Sequence, residues 1–420
     1  MLNSTRLLNM ALRSGTLGAR FLFVFFLAKY LDPESVGYYG LFTATVGYFL
    51  YLVGLDFYTY TTREILRAPL DQRGQMLKGQ AALSALLYAI VVPLGVWVLP
   101  QTGWPSELLL WFFPILVLEH LNQEISRLLT ALSEQITASL ILFMRQGSWA
   151  LAIVALMVID PNMRQLQAVM ACWLAAGVVA ALLGLRKIRQ LRLGGWHFPV
   201  DWSWVKNGAK LSLAFLLATL ALRGVQTIDR YWLQSLTNIE TVGAYVLFLS
   251  IAGTLMVFLD AGVFAFAYPE LIDLHHKQQH AQAHRKVKLL WFHILLAATA
   301  FSVISWLLLP YLLQWINKPL YQESIWLYPW LLLATVINAL GMAPHYALYA
   351  QQRDKAIIGS HVGAMLVFAI AVWLVAQTLP ALAVPLGLVI FFTVILVSKA
   401  AAYWASDHGT DGMPPSPQRS

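Results

Sequence analysis

The chain is poor in charge, poor in cysteine, and without any familiar catalytic signature. Lys, Arg, Asp and Glu make up 11% of its 420 residues, against 59% hydrophobic residues. Soluble domains carry about a quarter charged residues, so a water-soluble globular fold is excluded. The single cysteine, Cys172, stands inside an apolar run. No intrachain disulfide can form, and the residue reads as a small packing group. There is no P-loop, HExxH or GxSxG, so the common nucleotide, zinc-protease and serine-hydrolase chemistries lack their residues. The histidines of HHKQQHAQAH (His275, His276, His280, His284) read as a solvated loop, and no metal site is expected.

What is present is apolar sequence in lengths of about 20 residues, each enough to cross a bilayer core of roughly 30 Å. Strand-like alternation of the outer-membrane type is missing. The expected fold is an all-α polytopic membrane protein. Arg13 and Arg20 interrupt the first run, which reads as a span and not as a cleaved signal. Breaks in the pattern give twelve spans: 7–30, 37–60, 80–99, 107–130, 138–159, 164–185, 206–234, 242–267, 288–312, 324–349, 356–376 and 381–403. Alternate connections are basic, as at Arg63–Lys78, Arg186–Lys206, Lys277–Lys288 and Arg353–Lys355, and the others are short and nearly neutral. The positive-inside rule then places both termini in the cytoplasm. Much of the net charge of +8 lies in those basic loops, where anionic lipid headgroups suffice as partners and no basic domain is available for nucleic acid.

One phrase occurs twice. ESVGYYGLF at 34–42 returns as ETVGAYVLF at 240–248, identical at six of nine positions, with an offset of 206 residues. Each copy opens the second span of a half, and Glu64 finds its counterpart in Glu270 at the same offset. Six spans per half means both halves enter the membrane in the same direction. Two six-helix lobes related by a parallel internal repeat follow, with a site between lobes at mid-membrane. The expected division is an N-lobe over 1–185, a cytoplasmic inter-lobe loop over 186–205, a C-lobe over 206–405 and a disordered tail over 406–420.

Charges inside the spans need a reason, since an Arg at the bilayer centre costs about 2.5–3.5 kcal/mol on insertion scales. In the first span Asn9, Arg13, Thr16 and Arg20 fall on one narrow stripe at about 100° per residue. In the seventh, Ser212, Thr219, Arg223, Gln226, Thr227, Arg230 and Gln234 share a face. No acidic residue lies on the stripe of Arg13, Arg20 and Arg223, and a guanidinium fork suits phosphate oxygens. These three are candidates for binding an anion, with Arg145 and Arg230 as further candidates. Span 4 carries Glu119, His120, Asn122, Gln123, Glu124 and Arg127 on one side; Asp56 and Asp260 lie in spans 2 and 8. Internal neutralisation is the competing account: Arg127 with Glu124, Arg230 with Asp229, and Asp56 with a neighbouring helix. Tyr48, Tyr51 and Tyr58 form a stripe that can stack on sugar rings or simply pack.

The run LDPESVGYYGLF, then GLDF and TREI, at 31–65 resembles the N-terminus of bacterial Wzx-type oligosaccharide flippases. IDRYWLQSLTNIETVGAYVLF at 228–248 looks like the start of that family's C-lobe. These belong to the multidrug/oligosaccharidyl-lipid/polysaccharide exporter superfamily. The resemblance implies alternating-access export of a polyprenyl-pyrophosphate-linked oligosaccharide across the bacterial inner membrane, for O-antigen, capsule or exopolysaccharide. It implies no catalytic residue and no cofactor, with membrane lipids and other polysaccharide-assembly membrane proteins as partners. It also implies coupling to protons or sodium, for which Asp56, Glu119, Glu124 and Asp260 are candidates. The alternatives are a multidrug or small-solute antiporter of the same superfamily, a major-facilitator carrier, and a non-transporting scaffold. An acidic cavity would favour the first. The arginines disfavour the last, because a scaffold has no need of them at mid-bilayer.

Overall fold

The computed structural model describes residues 4–410, and among them there are helices and connecting turns but no strand. In chain order the first unit contains α1 (Ser4–Tyr30), α2 (Pro33–Gly54), α3 (Tyr58–Arg67), α4 (Arg73–Val98) and α5 (Ser106–Ala131). It continues with α6 (Gln135–Phe143), α7 (Trp149–Ile159) and α8 (Leu166–Gln190), and takes in most of α9 (Trp202–Leu236). The second unit holds α10 (Ile239–Leu259), α11 (Ala265–His276), α12 (His280–Ile316), the short α13 (Pro319–Glu323), α14 (Leu327–Ala350), α15 (Asp354–Ala376) and α16 (Pro380–Thr410). Among the described residues, eleven stretches are long and apolar enough to span a membrane. The remaining predicted span is α9, a 35-residue helix carrying Lys206, Lys210, Arg223, Asp229 and Arg230.

The repeated phrase is a helix start. Asp32 has extended backbone and accepts from the Ser35 amide at 2.6 Å, ahead of Pro33 in the first turn of α2. Asn238, 206 residues on, accepts from the Thr241 amide at 2.8 Å and opens α10 in the same way. A carboxylate or carboxamide at this place satisfies an amide the helix cannot.

Span 2 is not one helix. It stops at Gly54, and Leu55 and Asp56 follow with φ of 53° and 51°. The left-handed region is costly for a residue with a Cβ, so two such residues in succession mark a sharp, enforced turn into α3. Spans 5 and 8 also lose regular α geometry: Met144–Ser148 and Asp260–Phe264 are π-helical turns. Each inserts a residue into its helix, a feature frequent at functional positions.

The boundary between the compact units falls at Tyr231/Trp232, inside α9. The reason is packing. Trp204 and Val205 of α9 join Phe57 and Leu83 in one apolar cluster, and the buried Gly208 lets α9 come close to Tyr60 and Phe57. The preceding loop is not free either: Gly74 donates to the Gly194 carbonyl at 2.6 Å, and Lys78 donates to the Phe198 carbonyl at 3.0 Å. Gly195 sits at φ +90°, where glycine alone is unstrained.

The first unit is centred on aromatic rings, with Phe42 against Trp104, Phe112 and Trp173, and Trp149 stacked on Trp173 at 5.1 Å. In the second unit, 67% of the apolar 18-residue window within Ile239–His276 is buried, against 17% of that within α12. The former is therefore the more central element, and α12 leaves Trp306, Leu307, Leu308 and Tyr311 exposed. α16 runs to Thr410, past the predicted end at 405; the rest of the stretch read as a tail, 411–420, lies outside the described residues.

Candidate functional site

The five candidate arginines separate into two groups. Arg13, Arg20 and Arg223 are exposed, and their partners are neutral. Arg13 donates from Nε to Ser139 Oγ at 3.2 Å, and Ser139 in turn donates to Asn9. Arg20 donates to Gln146 Oε1 at 3.1 Å, in the π turn of span 5. Arg223 donates to Gln226 Oε1 at 3.1 Å and lies 5.7 Å from the Tyr51 ring centroid. Among the described residues, none of the three pairs with a carboxylate. Amide and hydroxyl acceptors hold a guanidinium in place without neutralising it, so its charge stays available to an anion.

The other two are already neutralised. Arg145 is 8% exposed and pairs with Glu119 at 3.3 Å, while Glu119 also accepts from Trp173 Nε1 at 2.8 Å. Each side chain of the pair occupies the other, and both are buried. Arg230 is bound to Asp229 at 3.0 Å, the internal neutralisation that the alternative account foresaw.

A second polar group forms where α2 turns into α3. Glu124 pairs with Arg127 at 2.7 Å and accepts from Gln80 Nε2 at 2.5 Å. Arg127 lies over the Tyr58 ring at 3.6 Å, and the Gln123 carboxamide accepts from it at 3.2 Å once its oxygen is turned that way. Asp56, aimed by the left-handed turn, hydrogen-bonds Thr219 and has Arg127 and Arg223 as electrostatic neighbours. Tyr58, Gln80, Glu124 and Arg127 of this group line a cavity of about 420 Å³, together with Tyr88 and His120. The remaining walls are mainly aliphatic, from α4, α5 and the end of α8.

Two of the three tyrosines thus have guanidinium groups over their faces: Tyr51 has Arg223 and Tyr58 has Arg127. Tyr48 lies beside Gly224 of α9, within ordinary contact distance of where a Cβ would stand. Asp260 is exposed at the π turn of span 8, with Tyr346 as its electrostatic neighbour. Among the described residues no three His, Cys, Asp or Glu side chains form a metal-binding group.

Sequence reasoning placed Gln226 on the stripe of Arg223 without making it the partner, and missed Gln146, which holds Arg20, and the cation at Lys399. The glutamines carry no charge signal. Lys399 stands alone near the end of an apolar run and looks like a span terminus, yet it is 3% exposed.

A profile of the polysaccharide biosynthesis protein family matches residues 7–275, well over half of the chain. The chain belongs to that family. No curated protein sequence matches it. Among solved structures, this polysaccharide biosynthesis protein is similar to an inward-facing conformation of a multidrug resistance MATE family transporter of the MOP superfamily. The TM-score is 0.74 at 13% identity, covering 93% of this chain and 95% of the other. It is also similar to a MATE crystal structure in complex with MaD3S, with a TM-score of 0.58, 15% identity and coverages of 96% and 93%. An outward-facing conformation of a multidrug resistance MATE family transporter gives 0.54 at 13% identity, with coverages of 97% and 94%. These likenesses establish a MATE-like membrane transporter fold, and the family supports a membrane exporter in polysaccharide biosynthesis.

Proposed function

We propose that the chain exports a polyprenyl-pyrophosphate-linked oligosaccharide across the bacterial inner membrane, for O-antigen, capsule or exopolysaccharide assembly. The observation that carries this reading is the trio Arg13, Arg20 and Arg223: exposed, held by neutral side chains, and unpaired with any carboxylate among the described residues. A pyrophosphate presents several anionic oxygens that a guanidinium fork engages in pairs. Cationic drugs would call for the opposite charge. Arg145 and Arg230, being ion-paired, act in this reading as supports of the helices that carry the other three. The sugar chain meets the polar side chains nearby, and the polyprenyl tail stays in lipid. Both termini face the cytoplasm, and other polysaccharide-assembly proteins receive the product on the far side.

The test uses Arg20→Ala and Arg223→Ala in cells lacking the wild-type chain, with expression confirmed and surface glycan measured. Loss of glycan in both, with protein in the membrane at wild-type level, is expected. Full glycan display in the double variant would sink the anion-binding assignment.

A further inference from the structure

The second unit contains a buried cluster of three nitrogen bases that the anion site does not use. Lys399 on α16 is 3% exposed, and its Nζ lies 3.0 Å from His361 Nε2 on α15. The His345 ring of α14 stacks on His361, with centroids 6.5 Å apart and planes 14° from parallel. His345 Nδ1 is buried without a hydrogen-bond partner. Among the described residues no carboxylate pairs with Lys399.

A structural lysine in a membrane helix ordinarily snorkels to the interface or pairs with an acid. Lys399 does neither. Its contact with His361 fixes the chemistry: one of the two nitrogens donates and the other supplies a lone pair. If Lys399 is an ammonium, His361 is neutral, with its proton on Nδ1. If the amine is neutral, it can accept from the Nε2–H of His361. A second proton would set two cations about 3 Å apart with no carboxylate paired to them among the described residues, which like-charge repulsion opposes. The Lys399–His361 pair therefore holds at most one excess proton across that contact.

The surrounding groups do not supply the missing negative charge. α16 packs against α14 and α15. From α15, Arg353 donates to the Ala402 carbonyl, adding a further cation at that end of α16. From α14, His345 has Lys399 and His361 as its electrostatic neighbours, and Tyr346 next to it has Asp260. Tyr403, one turn on from Lys399, bonds His284 of α12 at 3.2 Å. Lys399 and His361 are buried, and a proton is a ligand that these bases can take.

We propose that Lys399, His361 and His345 form a proton-carrying site that couples export to the proton gradient, one proton per cycle. This rests on the exporter reading above. The bases load when the pocket is hydrated from one side. They unload when rearrangement changes their exposure, because the free energy of a buried uncompensated charge depends on its access to water.

Two measurements test it. Wild-type, Lys399→Met, Lys399→Arg and His361→Gln proteins are reconstituted in phosphatidylethanolamine/phosphatidylglycerol vesicles with a fluorescent polyprenyl-pyrophosphate N-acetylglucosamine. One coupled proton gives a leaflet ratio of probe of about tenfold per unit of imposed pH difference in wild type. Each variant is expected to give a ratio near one. Lys399→Arg keeps the bulk and charge but cannot release a proton, so it covers the case in which Lys399→Met fails to fold. A variant that keeps the wild-type ratio overturns the proposal, as does a wild type that moves the probe indifferently to pH. Separately, ¹⁵Nζ NMR of lysine-labelled protein in nanodiscs follows the signal that Lys399→Met removes. It is expected to change with pH and to move in His361→Gln. An ammonium signal fixed throughout overturns the site. Failure of wild type to move the probe would count against the exporter reading alone, and the NMR result would still decide the proton site.

Discussion

Glu119 and Arg145 meet at 3.3 Å between α5 and the π turn of span 5, both nearly excluded from solvent. The pair is a joint between two helices, and its energetics are asymmetric. Removing one partner leaves a buried charge uncompensated, at a cost of about 3–5 kcal/mol, whereas replacing both with groups of similar volume is close to neutral. Arg145→Met should lower the unfolding temperature in detergent and reduce membrane levels. Glu119→Gln with Arg145→Met should recover most of that loss, because the introduced carboxamide oxygen still accepts from Trp173 Nε1. A double variant no better than the single one would contradict the pairing.

Arg20 and Arg223 should distinguish fork from charge. Lysine keeps the positive charge but not the planar pair of donors. Charge-assisted hydrogen bonds contribute about 1.5–3 kcal/mol, so export should fall roughly tenfold or more in Arg20→Lys and further in Arg20→Ala. Initial rates of probe movement in vesicles rank the three; equal rates for Lys and Arg would show that charge alone suffices.

Leu55 sits in left-handed backbone with a branched side chain. Leu55→Gly relieves about 1–2 kcal/mol of local strain, less about 0.5–1 kcal/mol for the added freedom of the unfolded chain. Leu55 also packs against the cluster of Phe57, Leu83 and Val205, and losing that side chain costs about 2–5 kcal/mol, so thermal stability should fall on balance. If Asp56 must be held by this turn, Leu55→Gly should also slow transport by more than its lower membrane level explains, which export kinetics normalised to protein would reveal.

Gly208 is the tight contact of α9. A Cβ there would fall within 2.6 Å of the Phe57 ring and still closer to Tyr60. Gly208→Ala should destabilise by about 1–3 kcal/mol, as overpacking does. Gly208→Ala combined with Tyr60→Leu should restore part of the loss, read from unfolding curves in detergent.

Asp201 lies outside the spans and accepts from the backbone of Trp204 and from the side chain and amide of Ser203. These bonds, that from Trp204 foremost, hold its carboxyl below the usual carboxylate range. The sign follows: the cap stabilises the start of α9 above the unfolded-state value of about 3.9, and the benefit is lost as pH falls through the lower folded-state value. Amide exchange at Trp204 should be slower in wild type than in Asp201→Ala at neutral pH. The difference should close in acid below about pH 4. A difference that persists unchanged in acid would exclude the carboxylate as its source.

The all-α membrane architecture was legible because apolar runs of span length carry their own signal. The repeat was legible because Asp32 and Asn238 must cap equivalent helices. Three things were hidden. The break at Leu55–Asp56 opens on Gly54, but leucine and aspartate occupy the two left-handed positions, and leucine is a poor predictor of left-handed backbone. The two π turns leave the composition of their helices unchanged. The separation of Arg145 from Arg20 depends on which helix brings a carboxylate near, and the polar stripe of one helix cannot show that. Packing of α9 onto Phe57 and Leu83 was equally invisible, because those residues look like ordinary apolar positions in sequence.

The π turn at Asp260–Phe264 has a counterpart that is not a π turn. Moved back by the repeat offset of 206, it falls on residues 54–58, where α2 ends and the left-handed pair begins. Both copies of the duplicated unit abandon the regular ladder at the same address, one by swallowing a residue and the other by breaking. Drawing the same residues into an unbroken α-helix would swing everything from Ala265 to His276 around its axis by about 100°, whereas excising one residue from 260–264 would remove the bulge and leave that segment where it is. The bulge is therefore what keeps the segment in phase, and a single deletion there should be tolerated where a helix-straightening change would not.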